Sequence, residues 1–291
     1  METGASYACS ARKGQARPFE ALCPGLICAA RAALVSAHHG QARDEPERDK
    51  VVLSRLRPDE ERYARRMARI ARWDRPIESR SERLRAWANM LLVDHGIFRL
   101  AYLNAHRVTP RLWRAAQPAP GQIARFAQLG VKTIVNLRGG REHGSWPLQR
   151  EACERHGIAL VDFVLRSRGA PDRETILGAA AFFDGLKEPA LVHCKSGADR
   201  AGFFAALYLL IHEKRPLDEA TRQLSLRYGH FRFAKTGILD AFFDAYRREG
   251  EPKGMAFLDW VATDYDPERL EREFKPGFLS SLVADRIIRR E

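Results

Sequence analysis

The strongest constraint on this chain is a run of three segments between residues 190 and 211. Ala190-Leu191-Val192 is wholly apolar and reads as a buried strand. Phe203 to Ile211 is apolar on every side, so as a helix it has no solvent face and belongs at the centre of a fold. Between them lies His193-Cys194-Lys195-Ser196-Gly197-Ala198-Asp199-Arg200-Ala201-Gly202. A cysteine and an arginine six positions apart therefore sit on the hinge between a central strand and a central helix.

That hinge suits a phosphate dianion. The first turn of a helix has backbone N–H groups without intrahelical partners, and the helix dipole places positive charge there. Gly197 lets the backbone curl around a ligand. Arg200 offers a planar fork that matches two phosphate oxygens. Cys194 faces the same field, and its thiol is expected to fall from about 8.5 towards the acidic range of cysteines at helix N-termini. A thiolate so placed can attack phosphorus and form a cysteinyl-phosphate. His193, Lys195, Ser196, Gly197 and Ala198 complete the expected cradle. The competing reading is a structural cysteine with a chance arginine. It is weakened because Cys194 alone of the five cysteines has arginine at the sixth position.

His193 to Gly202 resembles the signature loop of the cysteine-dependent protein-tyrosine and dual-specificity phosphatases, in particular their compact bacterial members. Trp113 to Pro118 and Val131 to Gly139 resemble the first strand and the Asn-Leu-Arg strand end of those proteins, so the likeness spans roughly residues 97–250. It implies their fold, metal-independent hydrolysis of phosphate monoesters without a cofactor, Cys194 as nucleophile and Arg200 as phosphate binder. Two positions depart from the pattern. Ala201 stands where the family usually has a hydroxyl that helps the thiolate leave. Asp199 resembles the Asp-Arg pairs of myotubularin lipid phosphatases, which turns attention to phosphoinositides.

The rest of the catalytic region reads as alternating helices and strands. Expected strands are Val108 to Arg114, Val131 to Leu137, Ile158 to Leu165 and the one ending at His193. Expected helices are Pro120 to Leu129, Pro147 to His156, Arg173 to Lys187 and, by number, 201–213, 217–227 and 236–248. Gly130 and Gly157 end two of these helices and turn the chain back into a strand. The pattern predicts an α/β fold, a mostly parallel central sheet with helices on both faces. Helical extensions are expected over 59–96 and 251–291, after a disordered or basic tail over 1–58. Arg62, Arg65, Arg66, Arg69 and Arg72 make the first extension basic, either a solvated face or a contact with an anionic surface. Leu84, Trp87, Leu91 and Leu92 recur at helical spacing, fitting packing on the core or an interfacial membrane helix. The last helix, Phe278 to Arg289, has the same two readings.

Ligands of parallel sheets bind beyond the carboxyl ends of the strands. Two further loops should share that edge. One carries Arg138, Arg141, Glu142 and His143; Arg138 is expected to bind substrate. The other carries Arg166, Ser167, Arg168, Pro171 and Asp172. Protonating the leaving oxygen calls for a carboxylic acid. Asp172 is preferred for that role over Asp199 and Asp162, although Asp172 equally fits the N-cap of the following helix.

The net charge of +12 favours an anionic partner. A phosphorylated protein or small aryl phosphate leads, with phosphoinositides or an acidic membrane surface as the alternative. No nucleic-acid motif accompanies the charge, and nucleic acid is not expected. Five cysteines in no metal-binding spacing fit a reduced cytoplasmic compartment, with the chain at most peripheral to a membrane. Cys153 reads as a core cysteine of a helix face. A second class of function also fits: a phosphate reader that retains the loop but lacks the loop hydroxyl and a placed acid.

Overall fold

Alternation along three short strands sorts apolar side chains into two cores, one on each face of a sheet. In the computed structural model, which describes residues 58–275, Leu112, Val135 and Val192 enter one core, while Ala115, Ile134 and Leu191 enter the other. This period of two is what a sheet covered on both faces requires. The described residues lie almost wholly in one unit, which begins at Arg62.

The sheet is α/β and mostly parallel. Strands β1 (His106–Arg107), β2 (Leu112–Ala116), β3 (Thr133–Asn136), β4 (Ala159–Asp162) and β5 (Ala190–Cys194) stand in the order β1-β2-β5-β3-β4. Only the β1–β2 pair is antiparallel. β5, flanked on both sides, is buried from end to end. Helices α1 (Pro58–Trp73), α2 (Arg80–Ala88) and α3 (Gly96–Ala101) precede the sheet. Between α2 and α3 the turn Asn89–Val93 widens to a π-helix. Helices α4 (Pro120–Gln128) and α5 (Ser145–Arg155) cover one face. The other face holds α6 (Arg173–Asp184), α7 (Asp199–Leu207), α8 (Leu217–Thr221), α9 (Ile238–Glu249), α10 (Phe257–Thr263) and α11 (Pro267–Glu273). Every residue of α7 is buried, the apolar ones from Phe203 onward as their pattern demanded and Asp199 and Arg200 with them.

Several boundaries differ from the sequence expectation. The first strand was expected from Val108, but the Thr109 hydroxyl accepts the N–H groups of Arg111 and Leu112 and makes a turn there, so β2 starts at Leu112. β4 ends at Asp162 rather than Leu165, although Phe163 and Leu165 still donate to Asn136 and Leu137. The helix expected over 217–227 stops at Thr221 and gives way to a 3-10 turn at Leu226–Tyr228. Gly130 and Gly157 do take the left-handed conformation that ends α4 and α5, at φ 81° and 64°. The aromatic segment at Phe257 packs on the core, with Trp260 wholly buried beside Phe242, Tyr246 and Tyr265. The tail expected over 1–58 (all but Pro58), the helix expected from Phe278, and Cys9, Cys23 and Cys28 lie outside the described residues.

Candidate active site

β5 delivers Cys194 to the carboxyl edge of the sheet, level with Ala116 of β2. Its side chain is 2% exposed. The Gly197 N–H donates to the Cys194 Sγ across 3.2 Å, and the Arg200 guanidinium stands close enough to the sulfur to interact with it. The loop thus closes on the thiol and begins α7 at once. Gly197 sits at φ 75°, and a Cβ there would lie 2.5 Å from the Ala116 nitrogen. Glycine is required on both counts: the left-handed backbone and the close pass of the loop over β2.

A loop whose N–H groups face inward must turn its carbonyls outward, and two buried side chains hold them there. Arg114, wholly buried on β2, donates through Nη2 to the carbonyls of Gly197 and Ala198, each at 2.8 Å. Its Nη1 reaches the Gln223 carbonyl at 2.6 Å, and its plane lies 4.1 Å from the Tyr228 ring centre. Burial pulls this guanidinium down to about 10, with Tyr228, Cys194 and Asp199 opposing. Asn104 donates to the carbonyls of Ser196, at 3.1 Å, and Tyr228, at 2.9 Å. Arg99 is likewise close enough to Cys194 for their charges to interact.

His193 serves the loop from below. The period of two turns its ring towards α5, where the Gln149 amide donates to Nε2 at 2.6 Å. Gln149 in turn accepts from Gln117 at 2.7 Å, and Gln117 accepts from Arg138. The His193 Nδ1 lies 3.4 Å from the Cys194 carbonyl. Complete burial pushes the imidazole down to about 3, so it is neutral. The ring has no exposure, which fits a residue that orients the loop from behind. Arg138 has protein partners of its own. Its guanidinium makes a two-pronged pair with Asp94, at 2.8 and 2.9 Å, besides its bond to Gln117. Asp94 is wholly buried and also binds Arg99 and the Ser145 hydroxyl. Burial alone would raise its carboxyl, but Arg138 and Arg99 hold it far below the carboxylate range. Lys195 and Ser196 are half-buried at the loop's rim, and Ala198 is buried beneath it. His143 stands on the loop after β3, with its Nε2 3.9 Å from Asp94. Its Nδ1 is buried without a hydrogen-bond partner among the described residues. Burial, with Arg138 and Lys195, lowers the imidazole and outweighs Asp94.

The carboxylates named for the proton have other tasks. Asp172 is exposed and caps α6, accepting from the Thr175 N–H at 2.9 Å and its hydroxyl at 2.8 Å. The loop before it is clasped from outside: the Tyr265 hydroxyl donates to the Pro171 carbonyl, and Glu271 accepts the Ala170 N–H. Asp199 turns away from the phosphate loop to His230, 2.7 Å away, and His230 reaches Asp240 at 2.6 Å on its other side. Asp162 binds Asn136 and Arg141. Cys153 is buried in the core of α5, where burial pushes its thiol up to about 12.

A strand–loop–helix cradle that presents a cysteine sulfur to its own amides and an arginine defines a cysteine-phosphatase type of site. Residues 85–238 match the family described as a DSP-PTPase phosphatase fused to NAD+ kinase, and the chain belongs to that family. It is similar to the dual specificity protein phosphatase TpbA of two Pseudomonas aeruginosa strains, at 30% identity over 141 residues. That match covers 46% of this chain and 55% of theirs, so the chain spans about half the length of the curated relatives it matches. Among solved structures, Pseudomonas aeruginosa TpbA is 19% identical over 59% of this chain and 91% of its own, with a TM-score of 0.39. A putative phosphatase from Shewanella putrefaciens CN-32 is 23% identical over 51% of this chain and 97% of its own, with a TM-score of 0.40.

Proposed function

We propose that this chain hydrolyses phosphate monoesters in two steps, with Cys194 as nucleophile and Arg200 and the loop amides as the phosphate cradle. The observation that carries this reading is the closed loop itself. Its Gly197 N–H donates to the sulfur with the Arg200 guanidinium close by, while Arg114 and Asn104 hold the loop carbonyls outward. The Cys194 thiolate attacks phosphorus, the ester P–O bond breaks, and the leaving oxygen takes a proton. Water then attacks phosphorus, the P–S bond breaks, and inorganic phosphate leaves with the thiolate restored. Charge developing on the equatorial oxygens meets donors already in place, so the step calls for no metal ion.

Phosphotyrosine in a protein, or another aryl phosphate, is the substrate class we favour. The relatives named as dual specificity protein phosphatases support it. So does the occupation of Asp172, Asp199 and Asp162: with those carboxylates committed, an ester whose leaving group departs without a strong acid has the advantage. Both described cysteines are free thiols, and a reducing cytoplasmic compartment would keep Cys194 competent. The test is turnover of an aryl phosphate by the wild type and by Cys194→Ser, with EDTA present and vanadate as inhibitor. Vanadate-sensitive turnover that the variant lacks supports the reading. No turnover, with vanadate binding that disappears in Arg200→Ala, would make the chain a phosphate reader instead.

A further inference from the structure

Residues 92–102 reverse the usual sorting of side chains. The two charged residues of this stretch, Asp94 and Arg99, are buried. The side chains it exposes are apolar or aromatic: Leu92, Val93, Ile97, Phe98, Leu100 and Tyr102, with Ala101 among them. Leu92 and Phe98 are 69% and 71% exposed, too much for residues held by neighbouring helices. The inward face is accounted for, because Asp94 anchors Arg138 and Arg99 beside the phosphate loop. Among the described residues, nothing covers the outward face. Soluble surfaces scatter large apolar side chains singly, and a concentrated group signals an interaction site.

The surroundings select the partner. Leu92 and Val93 also line a groove of about 590 Å³ whose walls carry Arg72, Arg75 and Arg85; Glu82, also in the groove, binds Arg75. Apolar side chains that are exposed, two of them sharing a groove with three guanidinium groups, match the layers of a bilayer with anionic headgroups: acyl chains below, phosphates above. No helix among the described residues is long and apolar enough to cross a membrane, so the contact would be interfacial. We propose that the face formed by Leu92, Val93, Ile97 and Phe98, with Arg72, Arg75 and Arg85 at its rim, docks this chain on an anionic phospholipid surface. The inference is independent of catalysis and goes beyond the proposed activity.

The test is sedimentation of the full chain with phosphatidylcholine vesicles, with and without phosphatidylglycerol. Binding should require phosphatidylglycerol and weaken as salt is raised. Phe98→Asp and Leu92→Asp should each weaken it by roughly tenfold or more, and Arg72→Gln by about fivefold. None of the three touches the phosphate cradle, so aryl phosphate turnover without vesicles should stay at the wild-type level and certify folding. The proposal is overturned if the wild type stays in solution, if phosphatidylcholine alone binds as well, or if both aspartate variants bind like the wild type. A concentration-dependent dimer that Phe98→Asp dissolves, with no vesicle binding, would assign the face to a second copy. Because the readout is protein mass on vesicles, an inactive chain tests the proposal equally well, with matching melting curves of wild type and variants certifying folding in place of turnover.

Discussion

Replacing His230 by glutamine tests how the start of α7 is held. The imidazole has no exposure and lies 2.7 Å from Asp199 and 2.6 Å from Asp240. Two carboxylates facing two ring nitrogens require both nitrogens to donate, so the ring is a cation. Burial works against the charge, but hydrogen bonds to Asp199 and Asp240 and their charges prevail and hold the group up to about 9, from an ordinary 6.5. At ~1.4 kcal/mol per pH unit, that difference is worth about 3 kcal/mol of folding stability. The folded value is the higher one, so the contribution is complete below about pH 6.5 and is lost as pH rises through about 9. Urea unfolding of the wild type and His230→Gln at about pH 6 and about pH 9.5 isolates it, because other titrating groups cancel in the difference. The stability gap between the two proteins should narrow by about 3 kcal/mol between those conditions. At the lower pH it should appear as a melting difference of about 6–12 °C for a domain of this size. An equal gap at both pH values would refute the reasoning, since it would mean that a neutral ring sits between the carboxylates.

Two further outcomes follow from the site. Gly197→Ala should abolish most aryl phosphate turnover, by about 10²-fold or more, because the new Cβ meets the β2 backbone and displaces the loop; steady-state kinetics beside a melting curve check it, and near-normal turnover would contradict the geometry. Asp172→Ala should cost about 1 kcal/mol of stability through the lost cap of α6 and leave the pH profile of turnover unchanged; loss of the profile's basic limb would return Asp172 to the role of general acid.

The fold was legible where periodicity and glycine punctuation agree. The unbroken apolarity from Phe203 to Ile211 predicts a central helix, and Gly130 and Gly157 mark the helix ends. The cysteine–arginine spacing places the loop, because strand and helix geometry leave little choice there. What stayed hidden was side-chain direction and distance along the chain. Asp199 is adjacent to Arg200 in sequence, yet on the first turn of α7 it faces His230, more than thirty residues further on. Asp94 closes a stretch that reads as a packing helix and Arg99 lies beyond it, and nothing local shows that Asp94 pairs with both Arg99 and Arg138. Arg114 closes the strand expected from the sequence but stands in the middle of β2, where a buried guanidinium needs partners, and its partners include the carbonyls of the phosphate loop. Asp172 fitted two roles in the sequence. The fold shows the cap, in its bonds to the Thr175 N–H and hydroxyl, and leaves the other role to the pH profile.

The line of polar groups from Arg138 to His193 has a direction. A guanidinium has no acceptor, so Gln117 must offer it a carbonyl oxygen and present its amide nitrogen to Gln149. Gln149 must then present its own nitrogen to the His193 Nε2, which leaves the ring proton on Nδ1, facing the Cys194 carbonyl. The tautomer beside the candidate nucleophile is thus dictated by an arginine on the neighbouring strand's loop, through two amides that could each be turned either way in isolation. Inheritance of these four positions is consequently collective. A glutamate at Gln149 has no nitrogen to offer and would demand a proton from His193, inverting the ring. A hydrophobic residue at Arg138 would remove the reference that orients both amides. Sequence variation here should come in concerted sets rather than singly.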